Sequence, residues 1–319
     1  MLATRFTDLV GCTVPIQQAG MGYRLANPRL AAAVSNAGGL GVASVYSVTA
    51  AAAAALLDEV AELTPQPFGA NFIVRWLDRE VVALAAGRAR IVEFFYGDPD
   101  PSLVEIVHAG GALACWNVGS TAEAVAAVAA GSDLVGVQGV EAGGHVRGTV
   151  ALLPLLAEVL DAIDVPVIAA GGIASGRSMA AALAAGADAV RVGTRFVAAM
   201  EADAHPEYVA ALLAAGSADT EYGETFSVGW PDAPHRTLHA AAEAARAFEG
   251  EFVGEQLRDG QYQPWPRLES GTIDKDTRGT IAAMPQWAGQ GVGLVTRVES
   301  AAAIVAAMAE EAEALLRRW

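Results

Sequence analysis

Apolar runs recur along the chain at intervals of roughly 20 to 30 residues: Pro15 to Ala19, Leu40 to Ala43, Phe68 to Val74, Ile91 to Tyr96, Ala112 to Val118, Leu134 to Val140, Pro166 to Ala170 and Ala189 to Val192. Between them lie alanine-rich stretches of helical character, among them Pro28 to Asn36, Ala50 to Glu62, Thr121 to Ala130, Leu152 to Ile163 and Arg177 to Ala185. The strand-type runs are continuously apolar rather than alternating. Strands of that kind are buried on both faces, as in a parallel sheet covered by helices. Eight strand-helix alternations favour a closed (β/α)8 TIM barrel over an open sheet. A doubly wound fold would carry Gly-x-Gly-x-x-Gly after its first strand, and the nearest approach, Gly39 to Ser44, instead enters the second.

The rhythm breaks between Glu201 and Ser270. Helical stretches Glu207 to Ala215 and Leu238 to Phe248 fall here, with Gly229-Trp230-Pro231 and Pro264-Trp265-Pro266 between and after them. A barrel takes ~250 residues, so the excess of about 70 predicts an inserted, mainly helical cap over the barrel mouth. The expected division is residues 1–200 and 271–319 for the barrel and 201–270 for the cap and substrate region. Ser300 to Arg318 reads as a closing helix.

Composition narrows the partners. A 319-residue chain that is 53% hydrophobic buries a large core. Its formal charge of -16 disfavours nucleic acid and anionic membranes. No apolar stretch reaches ~18 residues and Met1 to Gly11 lacks a signal-peptide pattern, so a cytoplasmic protein is the expectation. Cys12 and Cys115 have no metal-ligand spacing, and no histidine pairs with carboxylates at such spacing, so no transition-metal site is expected. An acidic, cap-bearing barrel is compatible with a monomer or a homodimer.

Candidate chemistry gathers where barrels place it, at the C-terminal ends of the strands. After the seventh and eighth runs come Ala170-Gly171-Gly172-Ile173 and Gly193-Thr194-Arg195-Phe196, whose glycines leave backbone N–H groups free to meet a phosphate. These glycines could equally serve only tight turns. After the first run, Ala19-Gly20-Met21-Gly22 permits close backbone approach, with Met21 as a soft apolar contact or a core filler. Asn71 and Gln138 are amides suited to a heteroaromatic edge, or a turn-maker and a satisfied buried amide. Taken together they suit a planar phosphorylated ligand, flavin mononucleotide (FMN) more readily than a sugar phosphate. After the sixth run, Glu141-Ala142-Gly143-Gly144-His145 presents an imidazole behind two glycines.

These blocks carry a family resemblance. Pro15 to Gly22, Asn36 to Gly41, Gly69 to Phe72, Gln138 to His145, Ala169 to Ile173, Gly193 to Phe196 and Ala288 to Gly293 together resemble the nitronate monooxygenases, formerly called 2-nitropropane dioxygenases. The resemblance implies an FMN-bearing barrel with a helical cap, in which a nitronate or nitroalkane reduces the flavin and dioxygen reoxidises it. It also implies flavin contacts at Ala19, Gly20, Met21, Gly22, Asn71, Gln138 and Gly143, phosphate contacts at Gly172, Gly193 and Thr194 beside Gly171, and a catalytic role for His145. An imidazole titrating near ~6.5 suits a base or a nitronate stabiliser.

The same motifs resemble NAD(P)H-driven reductases of enoyl thioesters or quinones, so the reaction stays open at this level. Arg147 is either an anion contact or a solvent-facing cation. A barrel of the inosine-monophosphate dehydrogenase kind would need a nucleophilic cysteine in the His145 loop, and none is there. His205, His235 and His239 read as structural or rim residues and His108 as a solvated helix residue. Tyr222, Phe226, Trp230 and Trp265 form either an apolar lid or a packed cap core.

Overall fold

The continuous apolar runs pair side by side in the computed structural model, which describes residues 2–22, 24–258 and 260–318. In chain order the strands are β1 (Ile16–Gln18), β2 (Gly41–Ser44), β3 (Phe68–Ile73), β4 (Ile91–Phe95), β5 (Leu113–Val118), β6 (Leu134–Gln138), β7 (Gly144–His145), β8 (Val167–Ala170), β9 (Ala189–Val192), β10 (Thr220–Gly223), β11 (His235–Leu238), β12 (Phe252–Arg258), β13 (Gln261–Pro266) and β14 (Arg278–Gly279). The main sheet has eight strands in the order β1-β9-β8-β6-β5-β4-β3-β2, all parallel. It closes on itself. Leu40 N–H donates to Ile16 O at 2.8 Å and Gln18 N–H to Leu40 O at 2.9 Å, joining the first strand to the approach to β2. The fold is a TIM barrel, as the eight apolar runs predict.

The outer helices start where the sequence supplies caps. Asn27 accepts from Leu30 N–H with Pro28 following, Thr49 from Ala52 N–H, Ser120 from Glu123 N–H and Ser300 from Ala303 N–H, each satisfying a donor that a helix start leaves unpaired. The helix Leu152–Ala162 lacks such a cap and follows the longer loop that carries His145.

The N-terminal face is shut. The helix Arg5–Val10 lies across it, with Phe6 fully buried against Leu40, Val42, Ile91, Leu134 and Ile168 from the strand starts. Arg5 grips Asp188 through two nitrogens, at 2.9 and 2.8 Å. Cys115 is buried in this cluster and the thiol is pushed up to about 12 by burial, so it is an inert core residue.

The inserted segment differs from the mainly helical cap expected for residues 201–270. Helices Pro206–Ala214 and His239–Ala247 are present, but strands are as prominent: β10 and β11 join β7 in one small sheet, and β13, β12 and β14 form another. The hairpin β12–β13 pairs antiparallel from Phe252 with Pro266 to Arg258 with Gln261. Because β14 pairs with β12, the cap reaches past residue 270 to Gly279. Trp265 and Tyr208 pack in a second core that joins the cap to the barrel, with Val253, Ile273 and Met284 against Leu25 and Val197.

Candidate active site

A cavity of about 460 Å³ opens at the C-terminal ends of the barrel strands, beneath the cap. Its size falls in the ~300–1,000 Å³ range of small-molecule and cofactor sites. The floor is polar. Glu93 on β4 is 1% exposed, accepts from Gln17 Nε2 at 2.7 Å and Asn71 Nδ2 at 3.0 Å, and pairs with Arg191 Nη2 of β9 at 2.6 Å. Arg191 donates further to Gln17 Oε1 and Asn117 Oδ1. A buried ion pair is tolerated when other polar groups satisfy its remaining donors and acceptors, and here three amides do so.

One wall is mostly backbone. Ala19, Gly20, Met21 and Gly22 after β1, Gly143 before β7, and Gly193 and Thr194 after β9 all line the cavity. Gly22 has a φ of +79°, and a Cβ at Gly20 would lie 2.4 Å from the Asn71 side chain, so glycine alone fits these two positions. The N–H groups of Gly193 and Thr194 donate to no other described residue. Thr194 Oγ1 accepts from Gly289 N–H at 3.0 Å, which fixes the loop. Gly171 and Gly172 do not line the cavity; they form a left-handed turn, φ +124° and +66°, beside Glu141 and under Gly291.

The facing wall is aromatic. Tyr46 follows β2, Trp76 follows β3, Phe95 ends β4, and Trp230 descends from the cap. Trp230 stands edge-on to Trp76 at 4.5 Å and to Tyr96 at 4.9 Å.

His145 sits between the walls. It lies not on β6, which ends at Gln138, but on the two-residue strand β7, paired with His235 of the cap. The Gln138 amide clamps its loop, donating to His145 O at 3.1 Å and accepting from Arg147 N–H at 3.3 Å. The imidazole stacks on Trp230, with centroids 3.8 Å apart and planes at 22°, and its Nε2 lies 3.3 Å from Ser270 Oγ. Burial, with the neighbouring His235 as a smaller cause, pushes His145 down to about 3. Its ring is therefore neutral at physiological pH, offering one donor and one acceptor.

The remaining candidates separate cleanly. His235 accepts from Phe226 N–H through Nε2 at 3.1 Å and donates from Nδ1 to Ala233 O, which fixes a neutral structural tautomer. His205 caps the helix Pro206–Ala214, His239 pairs with Glu221 and His108 with Asp133, all away from the cavity. Arg147 is held by Glu123 at 2.7 Å and Asp98 at 2.6 Å outside the cavity, so neither of its two sequence-level readings describes it. Phe226 and Trp265 are cap core, Tyr222 stays 37% exposed beside Arg236, and Trp230 alone of those four aromatics faces the site. Glu93, Arg191, Tyr46, Trp76, Trp287 and Ser270 are site residues that the motif reading passed over. For two of them a signal existed, since Glu93 and Arg191 are lone charges inside apolar strand runs.

A closed parallel barrel with a neutral histidine between an amide wall and an aromatic wall, on the face where such barrels do their chemistry, defines a TIM-barrel enzyme. The family described as "Nitronate monooxygenase" matches residues 3–80 and 73–311, and the chain belongs to that family of oxidoreductases. It is 38% identical to the "(3aS,4S,5R,7aS)-5-hydroxy-7a-methyl-1-oxo-octahydro-1H-indene-4-carboxyl-CoA dehydrogenase" of Rhodococcus jostii, over 79% of this chain and 70% of that one. It is 32% identical to the "Nitronate monooxygenase" of Pseudomonas aeruginosa, over 94% and 97% of the two chains. Among solved structures, FabK from Thermotoga maritima superposes with a TM-score of 0.83 at 31% identity, covering 100% of this chain and 98% of that one. No described helix is long and apolar enough to cross a membrane.

Proposed function

We propose that the cavity holds FMN and that the enzyme oxidises alkyl nitronates with dioxygen. The residues present fit that cofactor. The N–H groups of Gly193 and Thr194 would receive its phosphate, the small residues Ala19 to Gly22 would let a flat ring lie close to the backbone, and Asn71 and Gln138 would border its polar edge. Bound FMN supplies the two-electron oxidation and the reaction with dioxygen. The protein's own part is to bind and orient.

The single observation that carries the reading is His145, held neutral on the aromatic wall where it overlooks the cavity. A base so weak is poorly matched to removing a proton from a neutral nitroalkane, because proton transfer is most effective with a group poised near the working pH. A neutral imidazole instead donates one hydrogen bond to a nitronate that arrives already ionised. Ser270 restrains the ring from the side of Nε2. His145 is thus a nitronate stabiliser in this proposal rather than a base.

A second reading, NAD(P)H-driven reduction of enoyl thioesters or quinones, draws support from the carboxyl-CoA dehydrogenase name of the Rhodococcus relative, which names redox chemistry on a coenzyme A ester. Anaerobic mixing of the holoprotein with propyl-2-nitronate, NADH or NADPH separates the two. Rapid bleaching of the flavin by the nitronate is expected. Bleaching by a pyridine nucleotide alone would replace the first reading with the second.

A further inference from the structure

His145 is held mainly by other rings. Its one side-chain hydrogen bond among the described residues, to Ser270 Oγ, is long at 3.3 Å, so packing decides where the imidazole points. Four rings surround it: Trp230 on its face, Trp287 tilted at 5.3 Å, and His235 and Tyr96 edge-on at 5.4 and 6.0 Å. Trp287 and His235 are fixed by hydrogen bonds of their own. Trp287 Nε1–H donates to Gly271 O at 2.7 Å, and His235 Nε2 accepts from Phe226 N–H at 3.1 Å. Tyr96 is fixed by other means. Its φ of +59° is a left-handed conformation that persists in a tyrosine only where the surroundings impose it. It also stands edge-on to Trp230 at 4.9 Å, so it backs both partners of the stack.

Much of that restraint comes from Arg147. Its Nη2 donates to Asp98 Oδ1 at 2.6 Å, two residues beyond Tyr96, and its Nε to Glu123 Oε1 at 2.7 Å, while the guanidinium lies 5.9 Å over the Tyr96 ring. Glu123 is itself anchored, since its other oxygen accepts from Gly119 N–H at 2.8 Å. Gly148, the next residue along, abuts Gly119 so closely that a Cβ there would lie 2.1 Å from Gly119 O. One side chain thus ties together the loops after β4, β5 and β6, and it stands two residues from His145. A lone solvated ion pair is worth little. Here the Arg147 and Glu123 side chains are only 19% and 24% exposed, and the planar fork serves two carboxylates through separate nitrogens.

We infer that Arg147 is a positioning residue: by fastening the Tyr96 loop to the His145 loop, it holds the imidazole at the edge of the cavity. The inference rests on His145 being the ligand-facing group of the function proposed above. A clamp that is only structural changes stability alone, whereas a positioning clamp moves the His145 ring when it is released. NMR of the holoprotein carrying 13C-labelled histidine reads that ring directly, because the face of Trp230 and the nearby Tyr96 ring shift its C–H signals from their ordinary position. The signal lost in His145→Gln assigns it among the five histidines. Arg147→Ala should return the His145 signal toward its ordinary position and leave those of His108, His205 and His239 in place. Arg147→Lys, which keeps the cation without the fork, should restore part of the shift. Asp98→Asn, at a side chain 93% exposed where folding is not at risk, should move the same signal by less, since Glu123 still holds Arg147. A His145 signal unmoved in Arg147→Ala, or unmoved in Asp98→Asn should Arg147→Ala not fold, would overturn the positioning role. Saturating propyl-2-nitronate should bleach the flavin of Arg147→Ala about ten- to a hundredfold more slowly than that of the parent, the scale of a small misplacement at a reacting centre. A parent protein that the nitronate does not bleach removes the nitronate chemistry and leaves the ring signal to decide the role of Arg147. Normal bleaching with an unmoved ring removes that role alone.

Discussion

The two walls of the cavity are built by opposite means. Along β1 and β9 the surface is glycine, alanine and backbone N–H, placed by strands that cannot move without breaking the barrel. Along β2, β3 and β4 it is large aromatic side chains on loops, and those loops are kept in place by added devices: the Trp116 to Gly97 hydrogen bond, guanidinium groups over Trp76 and Tyr96, and left-handed residues at Ser47 and Tyr96. A backbone wall can accept a ligand common to many enzymes, because main-chain donors read shape and charge alone. A side-chain wall can be changed one residue at a time, so it is the natural place for substrate choice. The Glu93–Arg191 floor ties the two arcs together across the barrel.

Breaking that floor has the largest expected effect. Glu93→Ala strands Arg191 without its carboxylate, and removing one member of a buried pair costs about 3–5 kcal/mol. Urea denaturation checks it, and an unchanged midpoint would mean that the walls stand without the floor. Gly20→Ala attacks the backbone wall alone: the new Cβ displaces Asn71 from Glu93, which costs about 1–3 kcal/mol and should strip the flavin colour on gel filtration. Retention of colour would remove Gly20 and Asn71 from the cofactor seat.

Between the walls, His145 makes stability depend on pH. Its folded-state value of about 3 lies below the ordinary 6.5, so the unfolded chain binds the extra proton in that window. The stabilisation is full above about pH 6.5 and declines as the pH falls toward 3, by roughly 1–2 kcal/mol between about pH 7 and 5. His145→Gln should flatten this slope in denaturation curves at the two pH values; a slope equal to the parent's would assign the effect to other groups such as His235, which burial also lowers. The smallest effect lies outside both walls. Ser120→Ala removes a helix cap at a cost of about 1 kcal/mol, seen in the thermal midpoint, and should leave the flavin bound.

Much of the fold was legible because it is encoded locally. Each barrel strand is a continuous apolar run, and the small residues Ala19 to Gly22, Gly143 and Gly193 follow directly from where those runs stop. The cap was less so. Its hairpin β12–β13 interleaves polar and apolar residues, yet its pairing with β14 joins positions such as Gly254 and Gly279 that share no local pattern. His145 shows both sides: the Gly-Gly-His turn announces it, whereas its strand partner His235 and its neighbour Ser270 come from the cap.

The sequence by itself therefore determined the barrel, its helices and caps, the backbone wall and the histidine, since periodicity, caps and glycine turns act over a few residues. Tertiary structure alone decided the aromatic wall, the neutral state of His145 and the floor that joins Glu93 to Arg191 across 98 residues of chain. The physical reason is that burial and contact depend on which surfaces meet in space, and no local pattern in the chain records that meeting.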